Sequence, residues 1–269
     1  MLKRFSVVFL ALLLVACDKH DPILPGVRSP IFDSASVHVL NQTITNVPES
    51  VHVFDNTSCK YTQDSENVIW NGKRKVFSGF STPNSVTSNQ TPVCVGAYVY
   101  AGLTTGELIK IKPGTRQIMW VSDIYRASNL TGGASLVDIV APIVPYKNYI
   151  YVGGLGDAFC KVSMTSGTKA WCLDIGVGVP FILAGDYAFV VATDNNLYAI
   201  SIRDGGVIWS ANIDKQVAPT YENAIITVGK QKFDVRTGKQ INKKNTGQVE
   251  KIIILFVRCL SNRVFSSVD

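Results

Sequence analysis

Histidine is scarce in this chain of 269 residues: there are three, His20, His38 and His52, and none shares a metal-ligand spacing such as H-x-x-x-H with another. That argues against a histidine-built metal centre and reads the three as solvated surface residues. No two cysteines are adjacent. No acid/base pair and no nucleophile–histidine arrangement stands out, so no catalytic residue is nominated. Charge is modest at 17% of residues. The net +6 lies in the stretch from Gly229 onward, where nine Lys and Arg face three Asp and Glu. A basic tail differs from a basic binding face, and no base-stacking motif accompanies it, so nucleic-acid binding is not expected. No apolar run is long enough to span a bilayer: Phe5–Ala16 would cover about 18 Å as a helix, against about 30 Å of hydrocarbon.

What is present begins with an address. Lys3 and Arg4 precede that short apolar run, which ends in "LVAC", Leu14 to Cys17. The pattern is a secretory signal. Its end resembles the bacterial lipobox, which implies cleavage after Ala16 and lipid, such as palmitate, on Cys17. The alternative is an ordinary signal peptide with an incidental cysteine. Lipid would hold the protein to a membrane without spanning it. Residues 1–16 are thus expected as a lipoprotein signal peptide. Residues 17–65, polar and holding prolines 22, 25, 30 and 48, are expected as a tether.

A phrase then recurs. Thr91–Trp120, Ala141–Trp171 and Val179–Trp209 each start near a proline (Pro92, Pro142, Pro180) and end on tryptophan. Ala218–Asn242 follows the pattern from Pro219 but has Asn242 in the tryptophan place. Ile111, Val162 and Ile200 stand nine before the tryptophan; Gly167 and Gly205 stand four before, with Arg116 at that place in the earliest copy. Within each copy, runs such as "YIYVGG", "FCKVS" and "TKAW" are short, β-branched and aromatic, and turns such as "MTSG" separate them. Roughly 40 residues with three or four antiparallel strands is one propeller blade. The predicted fold is all-β: an incomplete ring of about four blades over 66–242, after an N-terminal signal helix. Trp120, Trp171 and Trp209 are predicted to wedge between blades, with Trp171 and Trp209 largely buried. Ser128–Asp138 reads as a long surface loop. The segment 243–269 fits neither blade nor tail and is expected to be aberrant.

"AISIRDGGVIW" and "FDVRTGKQI" resemble the PQQ-like propeller repeat, and with the lipobox in front the chain resembles the BamB family of the outer-membrane barrel-assembly machinery. That family forms closed rings of about eight blades, so the resemblance implies a truncated or frameshifted product. It also implies that "ENVIWNGK" (66–73) is the stray strand that completes a last blade. The implied function is a non-enzymatic, periplasm-facing scaffold. Its partner would be the periplasmic domains of the barrel-forming subunit BamA, and it would use no cofactor. The outer membrane is the implied location, although Asp18 after the lipidated cysteine is also compatible with the inner membrane. One alternative is a propeller lipoprotein with another ligand or protein partner. Another is a fragment of a PQQ-dependent dehydrogenase, which would need calcium ligands and often a vicinal cysteine pair.

Cys160 and Cys172 flank the turn "SMTSGT". A symmetric loop centred on Ser166 puts them directly opposite, within disulfide reach. A four-residue turn Met164–Gly167 instead pairs Ser163 with Thr168 and shifts the register by one, sending the two side chains to opposite faces. Both registers fit the sequence.

Overall fold

The structure is a computed structural model and describes residues 37–82, 91–125 and 136–241. All regular structure among them is β. Eighteen strands form five antiparallel sheets in chain order. Blade 1 holds β1 (Tyr61–Gln63), β2 (Val68–Asn71) and β3 (Arg74–Ser78). Blade 2 holds β4 (Val93–Val95), β5 (Tyr98–Gly102), β6 (Glu107–Lys112) and β7 (Gln117–Asp123). Blade 3 holds β8 (Val144–Tyr146), β9 (Tyr149–Gly154), β10 (Ala158–Ser163) and β11 (Lys169–Leu173). Blade 4 holds β12 (Ile182–Ala184), β13 (Tyr187–Val191), β14 (Asn196–Ser201) and β15 (Val207–Asn212). Blade 5 holds β16 (Thr220–Glu222), β17 (Ile225–Val228) and β18 (Gln231–Asp234), with Gln240 bridging back to Phe233. Each blade is a meander, so every strand pairs with its chain neighbour.

The prolines sit one or two residues ahead of β4, β8, β12 and β16. There the missing N–H disturbs no ladder. The central strands are apolar on both faces because each blade is covered on both sides. Along β9, Ile150 and Val152 pack toward blade 2, while Tyr151 packs toward blade 4. Along β13, Ala188 and Val190 face blade 3, and Phe189 and Val191 face blade 5. Alternation along a strand thus sends successive side chains into two different interfaces. Four apolar clusters fill the four interfaces between the five blades. Full burial of a residue such as Phe189 contributes about 1.5–3 kcal/mol.

The structure departs from the sequence-based expectation in three places. Residues 66–73 are not a stray strand: Val68–Asn71 is the central strand of blade 1, which begins at Tyr61. Five sheets stand where about four blades were expected. Residues 37–60 do not behave as a tether, since Ile44 is only 1% exposed and the segment bonds to successive blades. The signal segment 1–16, residues 17–36 and the tail 243–269 lie outside the described residues.

Candidate functional site

The three tryptophans occupy one structural position on the last strand of blades 2, 3 and 4. A β-bulge precedes each: Met119, Ala170 and Ile208 are skipped as the pairing of β6–β7, β10–β11 and β14–β15 shifts by one. Past the bulge, Trp120 faces Lys110, Trp171 faces Lys161 and Trp209 faces Ala199. Each indole crosses to the following blade. The Nε1–H of Trp120 donates to Met164 O at 3.2 Å, that of Trp171 to Ile202 O at 3.4 Å, and that of Trp209 to Val235 O at 3.0 Å. Each acceptor lies three residues before a turn glycine: Gly167, Gly205 or Gly238. Those glycines have φ of +75°, +81° and +68°, the left-handed region that favours glycine. They also lie under the ring. A Cβ on Gly167, Gly205 or Gly238 would come within 2.6, 3.0 or 2.5 Å of the indole carbons of Trp120, Trp171 and Trp209. The spacing glycine–x–x–x–tryptophan therefore links two different interfaces. The glycine receives the preceding blade's indole, and the tryptophan docks on the following blade's glycine. Trp209 is 2% exposed; Trp171, expected to be largely buried, is half-buried, as is Trp120.

Two lysines join this arrangement, and the sequence reading missed them. Lys110 Nζ donates to Met164 O and Lys161 Nζ to Ile202 O, both at 2.7 Å. These are the carbonyls that accept from Trp120 and Trp171. Lys110 also lies 4.1 Å from the Tyr98 ring centroid, and Lys161 4.3 Å from that of Tyr149. Burial holds both ammonium groups below the usual lysine range, and nearby Lys147 lowers Lys161 further. Burial likewise pushes the Tyr100 phenol up to about 12. The available signal was a lysine ten residues before each of two tryptophans.

Residues 37–60 form a strap. Leu40 N–H donates to Val207 O and Gln42 N–H to Ile208 O, so Val39 pairs in parallel with β15. Ile44 N–H reaches Arg236 O near blade 5, and the Tyr221 hydroxyl donates to Pro48 O. Val51 then pairs with Ala184 on β12. The His52 ring bonds Pro145 O on β8 at 2.9 Å, and Asn56 Nδ2 donates to Pro92 O ahead of β4 at 2.9 Å. A disulfide, Cys59–Cys94, fastens the strap to blade 2 with a Cα separation of 5.3 Å. Neither the strap nor this pairing was read from the sequence. No local period marks either one.

Cys160 and Cys172 are also disulfide-bonded, with Cα atoms 4.1 Å apart. Both registers considered from the sequence are present. Ser163 N–H donates to Thr168 O, as the four-residue turn requires. The bulge between Lys161 and Val162 then restores the direct opposition of Cys160 and Cys172. Cys17 lies outside the described residues. Of the expected loop at 128–138, only 136–138 is described, and Val137 and Asp138 are buried rather than on the surface.

A cavity of about 610 Å³ opens between the strap and blades 3 and 4. Lys147, Lys161 and Arg203 line it together with Asp186 and Asp204, so its charge is mixed. Among the described residues no group of three or more His, Cys, Asp or Glu could hold a metal ion. The described geometry is that of a packing scaffold with open strand edges.

A profile of the family described as outer membrane protein assembly factor BamB matches residues 29–211. The outer membrane protein assembly factor BamB of Alkalilimnicola ehrlichii is 20% identical over 125 residues, covering 46% of this chain and 33% of that protein. Among solved structures, BamB from Moraxella catarrhalis aligns at 14% identity and a TM-score of 0.47, over 72% of this chain and 66% of that one. The quinohemoprotein alcohol dehydrogenase of Comamonas testosteroni aligns at 13% identity and a TM-score of 0.43, over 59% of this chain and 35% of that one. The chain thus covers a third of the curated relative's length and just under two thirds of the BamB structure.

Proposed function

The chain belongs to the family described as outer membrane protein assembly factor BamB, and from that premise we propose that it is a non-enzymatic scaffold for the assembly of outer-membrane barrel proteins. The observation that supports this reading is the family match over 29–211, which includes both the strap and the tryptophan-bearing blades. A row of rigid blades presents loops and strand edges, and such a surface suits protein contacts. The partner in this reading is the periplasmic part of the barrel-forming subunit BamA. The protein reaches it from a lipid on Cys17, facing the periplasm at the outer membrane, with the inner membrane as the alternative that Asp18 raises.

Two measurements test the reading. Detergent extraction of envelopes followed by capture of the full chain should recover the barrel-forming subunit in stoichiometric yield. Recovery of other proteins without it would overturn the assembly role while leaving the fold untouched. Cys17→Ala should release the chain from membranes and change its mobility. If it stays bound with unchanged mobility, the anchor is wrong.

A further inference from the structure

The outer edges of β15 and β7 correspond residue for residue, yet among the described residues one is covered by a further segment and the other is not. On β15, Val207 and Ile208 stand two and one residues before Trp209. Their carbonyls accept from Leu40 and Gln42 of the strap, at 2.8 and 2.9 Å. Ile208 is the residue that the bulge skips. Skipping it leaves its carbonyl out of the ladder and free for a new strand. Val37 and Val39 of the strap pack against the apolar cluster between blades 3 and 4, so alternate side chains of the added segment point inward. Val207 is 2% exposed as a result.

On β7 the same two places hold Ile118 and Met119, with the same bulge skipping Met119. Here Ile118, Met119 and Val121 are 48%, 41% and 47% exposed. Among the described residues no bridge is made to this edge. On β11 the counterparts are Lys169 and Ala170. Lys169 is exposed and spends its ammonium on Asp123 O at 3.0 Å. An edge lysine is a standard guard against added strands. β7 has no lysine of its own, and Lys169 of blade 3 reaches only its last carbonyl, Asp123 O. The carbonyls of Ile118 and Met119 are thus left without that guard, beside three exposed apolar side chains.

We propose that the outer edge of β7 binds an extended polypeptide segment with apolar residues at alternate positions, added parallel to the strand as residues 37–42 are added to β15. The strap defines the chemistry of the occupant. Its backbone N–H groups meet the carbonyls of Ile118 and Met119, and its alternate side chains cover Ile118 and Val121. The inference rests on the two edges alone and does not depend on the assembly role.

The test uses the full chain in detergent, with p-benzoylphenylalanine in place of Met119, or of Ala170 as control. The probe is the peptide VHVLNQTI, the sequence of residues 37–44. Photo-crosslinking should capture the peptide at position 119 and not at 170. A peptide carrying Val37→Asn and Val39→Asn should need about tenfold or more higher concentration for the same capture. Ile118→Lys together with Val121→Lys should weaken capture by a similar factor at an unchanged unfolding midpoint. If that pair lowers the midpoint, the milder Val121→Thr replaces it and should still reduce capture. Equal capture at 119 and 170 would overturn the proposal, as would equal capture of both peptides. A crosslink between two copies of the chain in place of the peptide would show a self-association edge and overturn it too.

Discussion

Blades 1 and 2 meet differently from the blades that follow. At the three later interfaces an indole lies on a glycine and donates to a carbonyl three residues upstream of it. At the first interface, Phe77 stands just past the bulge in β3, where the others have tryptophan. The residue at the glycine place in blade 2 is Arg116, which adopts φ +56° without being glycine. Both halves of the pair are changed together. Phenylalanine is smaller and has no N–H to donate, and arginine has a Cβ where the indole would lie. Bulk on one blade is thus matched by its absence on the next, because interiors pack to near-crystalline density.

The largest expected effect is the loss of a docked indole. Trp209→Ala should cost about 3–5 kcal/mol, read from chemical unfolding. Trp171→Ala, half-buried, should cost less, and Phe77→Ala less again for want of the hydrogen bond. Equal losses at all three would remove the distinction between the interfaces. Cleaving a disulfide comes next, at about 2–4 kcal/mol. Cys59–Cys94 closes 35 residues and Cys160–Cys172 closes 12, so Cys59→Ala with Cys94→Ala should lower the unfolding midpoint more than the other pair. The reverse order would contradict the loop-closure account of the two bridges.

Gly238→Ala tests the receiving half of the pair, since it forces a Cβ to 2.5 Å from Trp209 at positive φ. It should destabilise by about 1–3 kcal/mol. In the Trp209→Ala background the same change should cost only its backbone part, and a double-mutant cycle measures the difference. The smallest effect belongs to Asp64 in blade 1. Burial works to raise its pKa, but bonds from Trp70 Nε1–H and the N–H groups of Val68 and Glu66, with Lys75 nearby, hold the carboxyl below the usual range. A folded-state pKa below the unfolded value of about 3.9 gives stability that is complete above that pH. It is lost as pH falls through the folded value. The stability gap between the native chain and Asp64→Asn should therefore narrow as pH drops below about 4, and a gap constant with pH would refute the assignment.

Much of the blade architecture was legible because its signals are local. Short β-branched runs, turn glycines and the recurring tryptophan all fall within one copy. Even so, the turn register around Ser166 stayed open. Turn chemistry and cysteine opposition favoured different pairings, and only the bulge at Lys161–Val162 satisfies both. Blade 1 was missed because Phe77 replaces the tryptophan that anchored the count. The strap was missed because its hydrogen bonds go to blades far along the chain rather than to a neighbouring strand, so its residues carry no period.

The sequence by itself determined that this chain is built of repeated antiparallel blades. Strand alternation, left-handed turn positions and the glycine–tryptophan spacing are set by neighbours within about 40 residues. Tertiary structure alone decided which edge the strap covers, how far each tryptophan is buried, and that Cys59 meets Cys94. Those outcomes depend on which blade face lies next to which, and on a strap that ties Pro48 to Tyr221 across 173 residues. The free energy of such contacts arises only when the distant surfaces are already in place.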